Sequence, residues 1–405
     1  MKERGMYLDL WRDLSRHKAM VFLAGPRQAG KTTLAHMIAR SFANRAYFNW
    51  DLFENKRLLM DKPSFFQDIQ RKDGSTPLVV FDEIHKYRRW KNYLKGVYDQ
   101  FANEYKFLVL GSGRLNLFQK GGDSLAGRYF LCTLWPFTLA ELAEGRRSFQ
   151  EFIRHPLAVP DGVRSSETIW RQLAQCSGFP EPYLAGRETF YRRWSNNYRQ
   201  QLIREDIRNL TDIKNIDDVE MLYALLPTKV GSPLSMDSLA RDVQVSFNSV
   251  RNWLTVFESF FLTFRLAPWM QKISRAIVKE KKLYFYDYAR IASPPERFEN
   301  MVAVELLRAV SNWNDFGFGD FTLHYIRNKE GEEVDFLIAR DHVPMLLVES
   351  KFSDDTLSKS LAKFQARLNI PAVQLVNRPG VYKIQKPQRQ NLLIVTASRW
   401  LTGLP

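Results

Sequence analysis

The sequence predicts an α/β protein with a parallel sheet at the front, a helical middle and a second α/β module at the rear. Three observations predict it. The short all-apolar runs Met20 to Ala24, Leu78 to Phe81 and Phe107 to Leu110 have the unbroken hydrophobicity of strands buried on both faces. From Thr168 the apolar positions recur with helical spacing instead. After Leu283 the pattern turns β-rich again, with LYFYD, EEVDFLIA and MLLVESK separated by turn residues.

Composition bounds the rest. At about 150 residues per domain, 405 residues make two or three domains. Apolar residues at 45% and charged residues at 25% exclude a mainly disordered chain. Apolar runs are too short to span a membrane, and the charged start MKERGMYLDLWRDLSRHK is unlike a secretory leader. Two cysteines, Cys132 and Cys176, without paired Cys/His spacing argue against a disulfide framework or a zinc site, so the expected location is the cytoplasm. Lys and Arg outnumber Asp and Glu 59 to 44, a net +15 that favours polyanionic partners, nucleic acid first.

The first strand, Met20 to Ala24, runs into Gly25-Pro26-Arg27-Gln28-Ala29-Gly30-Lys31-Thr32-Thr33, a G-x-x-x-x-G-K-T loop followed by a helix from Thr32 to Ala39. In such a loop the glycines let backbone N–H groups curl around a phosphate, and the helix points its positive end at the same anion. Lys31 then neutralises the outer phosphates and Thr32 holds Mg²⁺ through its hydroxyl, so ATP and Mg²⁺ are the expected ligands. The second strand follows the turn signal Asp73 to Pro77 and ends in Asp82-Glu83. Asp82 sits where a carboxylate would anchor the Mg²⁺, and Glu83 where one would orient the attacking water. A parallel sheet brings both strand ends to one edge. The third strand ends in Gly111-Ser112-Gly113; Ser112 is either a sensor of the γ-phosphate or a turn serine. A polar loop from Gly122 then leads to Arg128, which could reach a neighbouring subunit's nucleotide; Arg114 is a weaker candidate for that role.

The runs AGPRQAGKTT, LVVFDEIHK, LGSGRLNLF, SLAGRYF and LWPFTLAEL resemble the AAA+ ATPase core that precedes a DUF4143 region in many bacterial and archaeal proteins. SGFPEPYL and YRQQLIREDI are similar to the start of that region. The resemblance implies a P-loop AAA+ ATPase, then a helical and winged-helix segment, then a C-terminal α/β domain like the PD-(D/E)xK restriction nucleases. Its expected bounds here are 1–145 for the ATPase core, 146–216 for a helical lid or linker, 217–282 for the winged helix and 283–405 for the nuclease-like domain. A ring, by family expectation a hexamer, would complete each nucleotide site with Arg128 of the adjacent subunit.

The boundary near 145 rests on Pro156, Pro160 and the loss of periodic apolar positions between 144 and 168. Residues 187 to 214 carry seven Arg or Lys against four Asp or Glu, with Trp194 and Tyr198 interleaved. That stretch is read either as a strand-contacting surface or as a solvated face. The cluster Arg204, Asp206 and Arg208 is an alternative ring contact. Next, Asp237 is placed to cap the helix SLARDV and Gln244-Val245 to make a turn. The helix after it buries Val250, Leu254 and Phe257 while its other face offers Asn248, Arg251 and Asn252 to a groove of DNA. Six basic residues from Arg265 to Lys282, among them Lys279, Lys281 and Lys282, oppose only Glu280 and extend that DNA reading.

At the rear, Phe298 to Val310 is an amphipathic helix carrying Glu299 and Glu305, followed by strands that bear Asp335 and then Glu349-Ser350-Lys351. Alternation on a strand puts Glu349 and Lys351 on one face beside Asp335. A nuclease uses this set to collect Mg²⁺ on Asp335 and Glu349 while Lys351 activates water; a DNA clamp keeps the fold without the chemistry. The leading expectation is an ATP-driven motor on DNA, branched or unwound by analogy with ring ATPases that carry a winged helix. The alternatives are an ATP-dependent nuclease and a nucleotide-gated scaffold protein that moves no DNA.

Overall fold

A computed structural model describes residues 3–111, 125–143, 145–160, 166–208, 213, 215–270, 280–386 and 391–405. Ser112, Arg114 and Lys279, three of the expected site residues, lie outside the described residues. The chain forms two compact units, residues 1–136 with 259–261 and residues 137–258 with 262–405.

The first unit is built on five parallel strands: β1 (Met20–Ala24), β2 (Arg45–Asn49), β3 (Leu78–Asp82), β4 (Lys106–Leu110) and β5 (Tyr129–Thr133). Their order is β2-β3-β4-β1-β5, so β4 lies between the strand that feeds the phosphate loop and the strand that ends in Asp82. Leu110 pairs with both Leu23 and Asp82, which sets the ends of all three strands at one level. The uniform burial of β1 and β3 explains why their sequences show no alternation. Phe66, Phe81 and Phe107 pack edge-on and stacked at the centre of this unit's core. Asn44 fixes the turn before β3: its amide donates to the carbonyls of Asp73 and Ser75 and its oxygen accepts from the Lys72 N–H.

The second unit begins earlier than the composition change suggests. The short helix Leu139–Ala143 belongs to it, because the Phe137 N–H donates to the Gly178 carbonyl and the Leu139 N–H to the Glu305 carboxylate. Within the stretch read as a linker, Ser148 caps a helix, Phe149–Arg154, by accepting from the Glu151 N–H. Along the helix Glu188–Gln200, Trp194 and Tyr198 are buried and stack on each other at 4.8 Å, so the aromatics belong to the core and the basic residues to its outer face. The chain continues as a π-helix, Gln201–Ile207, in which Arg204 pairs with Glu220 and Asp217.

Three helices follow, Ile216–Leu225, Met236–Val243 and Phe247–Ser259, then an antiparallel hairpin of β6 (Thr263–Leu266) and β7 (Lys282–Phe285). The cap of the middle helix is Ser235, whose hydroxyl accepts from the Ser238 N–H; Asp237 lies inside the first turn instead. The hairpin is fastened to a mixed sheet of order β12-β13-β11-β10-β9-β8, with β8 Phe321–Arg327, β9 Glu333–Arg340, β10 Val343–Lys351, β11 Ala372–Val376, β12 Tyr382–Gln385 and β13 Leu392–Thr396. Asn300 exchanges two hydrogen bonds with the backbone of Phe285 in β7, and Trp269 and Tyr325 bridge the end of β6 to β8. Asn300 stands on the helix Pro294–Asp315, longer than the sequence pattern indicates and buried on most sides. The parts expected as a winged helix and a separate rear domain are therefore one packed body.

Candidate functional site

At the front, the phosphate loop owes its path to three left-handed or glycine-only positions. Gly25 has φ +148°, and a Cβ there would stand 2.3 Å from the Leu134 carbonyl oxygen, which only glycine avoids. Gln28 and Gly30 also have positive φ, and the helix Lys31–Ala39 starts immediately after. Lys31 is buried and its Nζ donates to the carbonyls of Gly25 and Pro26 at 3.0 and 2.7 Å. These neutral acceptors hold the ammonium only modestly compared with a phosphate dianion.

Arg4 supports the loop from behind. Its guanidinium is buried and donates to the carbonyls of Ala29 and Trp135. Nothing in the sequence marks Arg4, because the contact spans distant chain positions and follows no motif spacing.

Thr32 and Asp82 meet at 2.9 Å, hydroxyl to carboxylate. Tyr47, on the neighbouring β2, donates to the same Asp82 oxygen, and its ring stacks on His36. Burial and the Asp82 carboxylate raise the Tyr47 pKa, so its phenol stays a donor. Glu83 follows in a left-handed conformation, where β3 ends. Burial raises the Glu83 pKa, against the opposing charges of Lys86 and Lys31. His85 and Lys86 lie 3.3 and 3.5 Å from it. Thr32, in the first turn of the helix Lys31–Ala39, and Asp82, at the end of β3, are the pair that would hold Mg²⁺, and their proximity fits an oxygen-ligated ion. Arg128 forms a two-point ion pair with Asp99 of the same chain, at 2.7 and 3.2 Å.

The rear carries a second polar centre. Asp335 accepts from the N–H and hydroxyl of Ser350, and its N–H donates to Glu349. Glu349 also accepts from Lys351 at 2.7 Å and from the Ser358 hydroxyl. The structure thus brings Asp335, Glu349 and Lys351 together, as the strand alternation requires. Burial, then the Asp335 charge, pushes the Glu349 pKa up to about 7. Glu299 joins from the long helix, with its pKa raised by burial and by Asp335 to about 8.

Lys282 requires a correction. Expected on a DNA-contacting surface, its side chain is 1% exposed and lies among Glu333 at 2.6 Å, Glu299 at 3.3 Å and Asp335 at 3.3 Å. β7 is buried along its whole length, on both faces, so none of its positions offers a solvent-facing side. Burial works against its charge, but the three carboxylates outweigh that and hold its pKa above the ordinary value. By contrast Asn248, Arg251 and Asn252 lie exposed on one helix, while Lys281 is half-buried beside β7.

A parallel five-stranded sheet with a G-x-x-x-x-G-K-T loop and a facing Asp-Glu strand end defines a P-loop ATPase fold. Residues 17–143 match the family described as an AAA domain, and 296–398 match DUF4143, a domain of unknown function. The chain accordingly carries an AAA domain with a P-loop ATPase fold at the front and a DUF4143 region at the rear. Between these, residues 167–292 match a separate domain of unknown function, DUF8612, so SGFPEPYL and YRQQLIREDI belong to it and not to the start of DUF4143. An uncharacterized protein of Mycobacterium tuberculosis is 22% identical over 394 residues, 95% of this chain and 82% of its own length. An uncharacterized Methanocaldococcus jannaschii protein is 22% identical over 292 residues, 66% of this chain and 60% of its own. Among solved structures, a Walker-type ATPase of Pyrococcus abyssi aligns with TM-score 0.45 and 15% identity, over 72% of this chain and 95% of its own. The Aeropyrum pernix ORC1 protein, solved in complex with DNA, aligns with TM-score 0.36 and 11% identity, over 75% and 93%. Among the described residues, no helix is long and apolar enough to cross a membrane.

Proposed function

We propose that this protein hydrolyses ATP at the front site and couples the turnover to binding and remodelling of DNA, with branched DNA of recombination or repair as the first substrate to test. The observation that carries the reading is the convergence of Lys31, Thr32, Asp82 and Glu83 at one sheet edge. Bound ATP with Mg²⁺ supplies the phosphoanhydride to be broken. The loop N–H groups of residues 27–32 would hold the phosphates, Lys31 would exchange its carbonyl partners for phosphate oxygens, and Thr32 with Asp82 would hold the metal. Glu83 orients water and accepts its proton, a role suited to a carboxyl whose pKa is raised by burial.

In a ring, with a hexamer as the expected size, Arg128 would leave Asp99 for the neighbour's nucleotide; each subunit would then be active only with a partner. For the DNA role the support is the net +15 and the exposed Asn248, Arg251 and Asn252 on one helix. ATP turnover measured with linear, forked and four-way DNA tests the proposal: stimulation by one structure names the substrate class. Equal rates with and without every DNA would remove the DNA role and favour a nucleotide-gated scaffold.

A further inference from the structure

A nuclease built on Asp335 and Glu349 would need their oxygens free and converging on a divalent cation. Each of those oxygens already accepts a hydrogen bond or ion pair from the chain. Asp335 Oδ1 takes Lys282 Nζ, and Oδ2 takes both the N–H and hydroxyl of Ser350. Glu349 Oε1 takes Lys351 Nζ and the Ser358 hydroxyl, and Oε2 takes the Asp335 N–H. The residues present therefore do not fit the Mg²⁺ that the nuclease-like pattern implies.

What fills the centre instead is a cation from another segment of the chain. Lys282 has three N–H donors and faces three carboxylates, on the helix Pro294–Asp315 (Glu299) and on β9 (Glu333 and Asp335). Tyr284, two residues on and on the same side of β7, donates to Glu299 at 2.7 Å. At Gly231 a Cβ would stand 2.8 Å from the Glu299 carboxylate, so that chain segment packs directly against this side of the centre. A buried ammonium with matched carboxylates is held far more firmly than an exposed pair, and removing one partner strands the others.

We infer that Lys282 is the resident cation of the rear carboxylate centre, a lock that pins the hairpin to the mixed sheet and leaves the DUF4143 region without metal-dependent cleavage. Neither the lock nor its test depends on nucleotide hydrolysis.

The test uses the full chain without nucleotide. Mn²⁺ uptake and nicking of supercoiled plasmid in Mg²⁺ or Mn²⁺ are compared between the wild type and Asp335→Asn, with Glu349→Gln as the second variant. The two should be indistinguishable from wild type; metal uptake or nicking that the substitutions abolish would overturn the inference. For the lock, hydrogen exchange at β7 amides is read in Lys282→Met, or in Glu333→Gln if the first does not fold. Protection there should fall at least about tenfold while β1 is unchanged, in line with the loss of a buried pair. Unchanged protection in a folded variant would overturn it.

Discussion

The two polar centres use the same vocabulary, a lysine beside carboxylates and hydroxyls, and arrange it to opposite ends. At the front, Lys31 donates to two carbonyls and its charge acts on nearby Glu83, while Asp82 accepts from the hydroxyls of Thr32 and Tyr47. Neutral partners such as these are exchanged readily for a phosphate or a metal. At the rear, Lys282 is held by three carboxylates, and the oxygens of Asp335 and Glu349 are all engaged. The same residue types thus serve two ends: in front, hydrogen bonds to carbonyls and hydroxyls predominate, whereas at the rear three carboxylates enclose one buried ammonium.

Substitutions in the two centres should therefore behave differently. The largest effect is expected for Glu83→Gln, which keeps the shape but cannot accept a proton: ATP should be retained while hydrolysis falls by about 10²-fold or more. A rate within a few-fold of wild type in a phosphate-release assay would remove Glu83 from the proton transfer.

Glu305, buried beside Arg308, comes next. Burial raises its pKa to about 7 from an ordinary 4.5, the Arg308 charge opposing. The folded chain thus binds this proton more tightly than the unfolded one. That stabilisation is complete below about pH 4.5 and is lost as pH rises through 7. Glu305→Gln cannot ionise, so its unfolding free energy from urea titration should exceed the wild type's at pH 8, by about 3 kcal/mol, and the gap should narrow at pH 5.

Arg4→Ala leaves the carbonyls of Ala29 and Trp135 unpaired behind the phosphate loop. It should cost about 1–3 kcal/mol in thermal or urea unfolding and weaken ATP binding in step. The smallest effect is expected for Arg251→Ala, whose side chain is exposed: its DNA affinity should become less salt-dependent by about one phosphate contact, read from the slope of log affinity against log salt.

The front centre was largely legible in the sequence because its chemistry is local. One contiguous loop supplies the phosphate cradle, and unbroken apolar strands deliver Asp82 and Glu83 to the same edge. Arg4 and Tyr47 escaped notice because their partners are distant in the chain and no spacing announces them. At the rear, alternation on β10 correctly put Glu349 with Lys351 near Asp335. Counting basic residues misread Lys282, since a tally of charge carries no information on whether β7 has a solvent-facing side. The aromatics Trp194 and Tyr198 misled in the same way: helical spacing groups them on one face but does not say that Phe179 covers it.

The front site as a nucleotide centre is tested most directly by equilibrium retention of labelled ATP with Mg²⁺ by the full chain and by Lys31→Ala. The account predicts about one ATP held per wild-type chain and almost none by the variant, as loss of the loop's only ammonium contact to the phosphates requires. Equal retention by both, or none by the wild type, would contradict it.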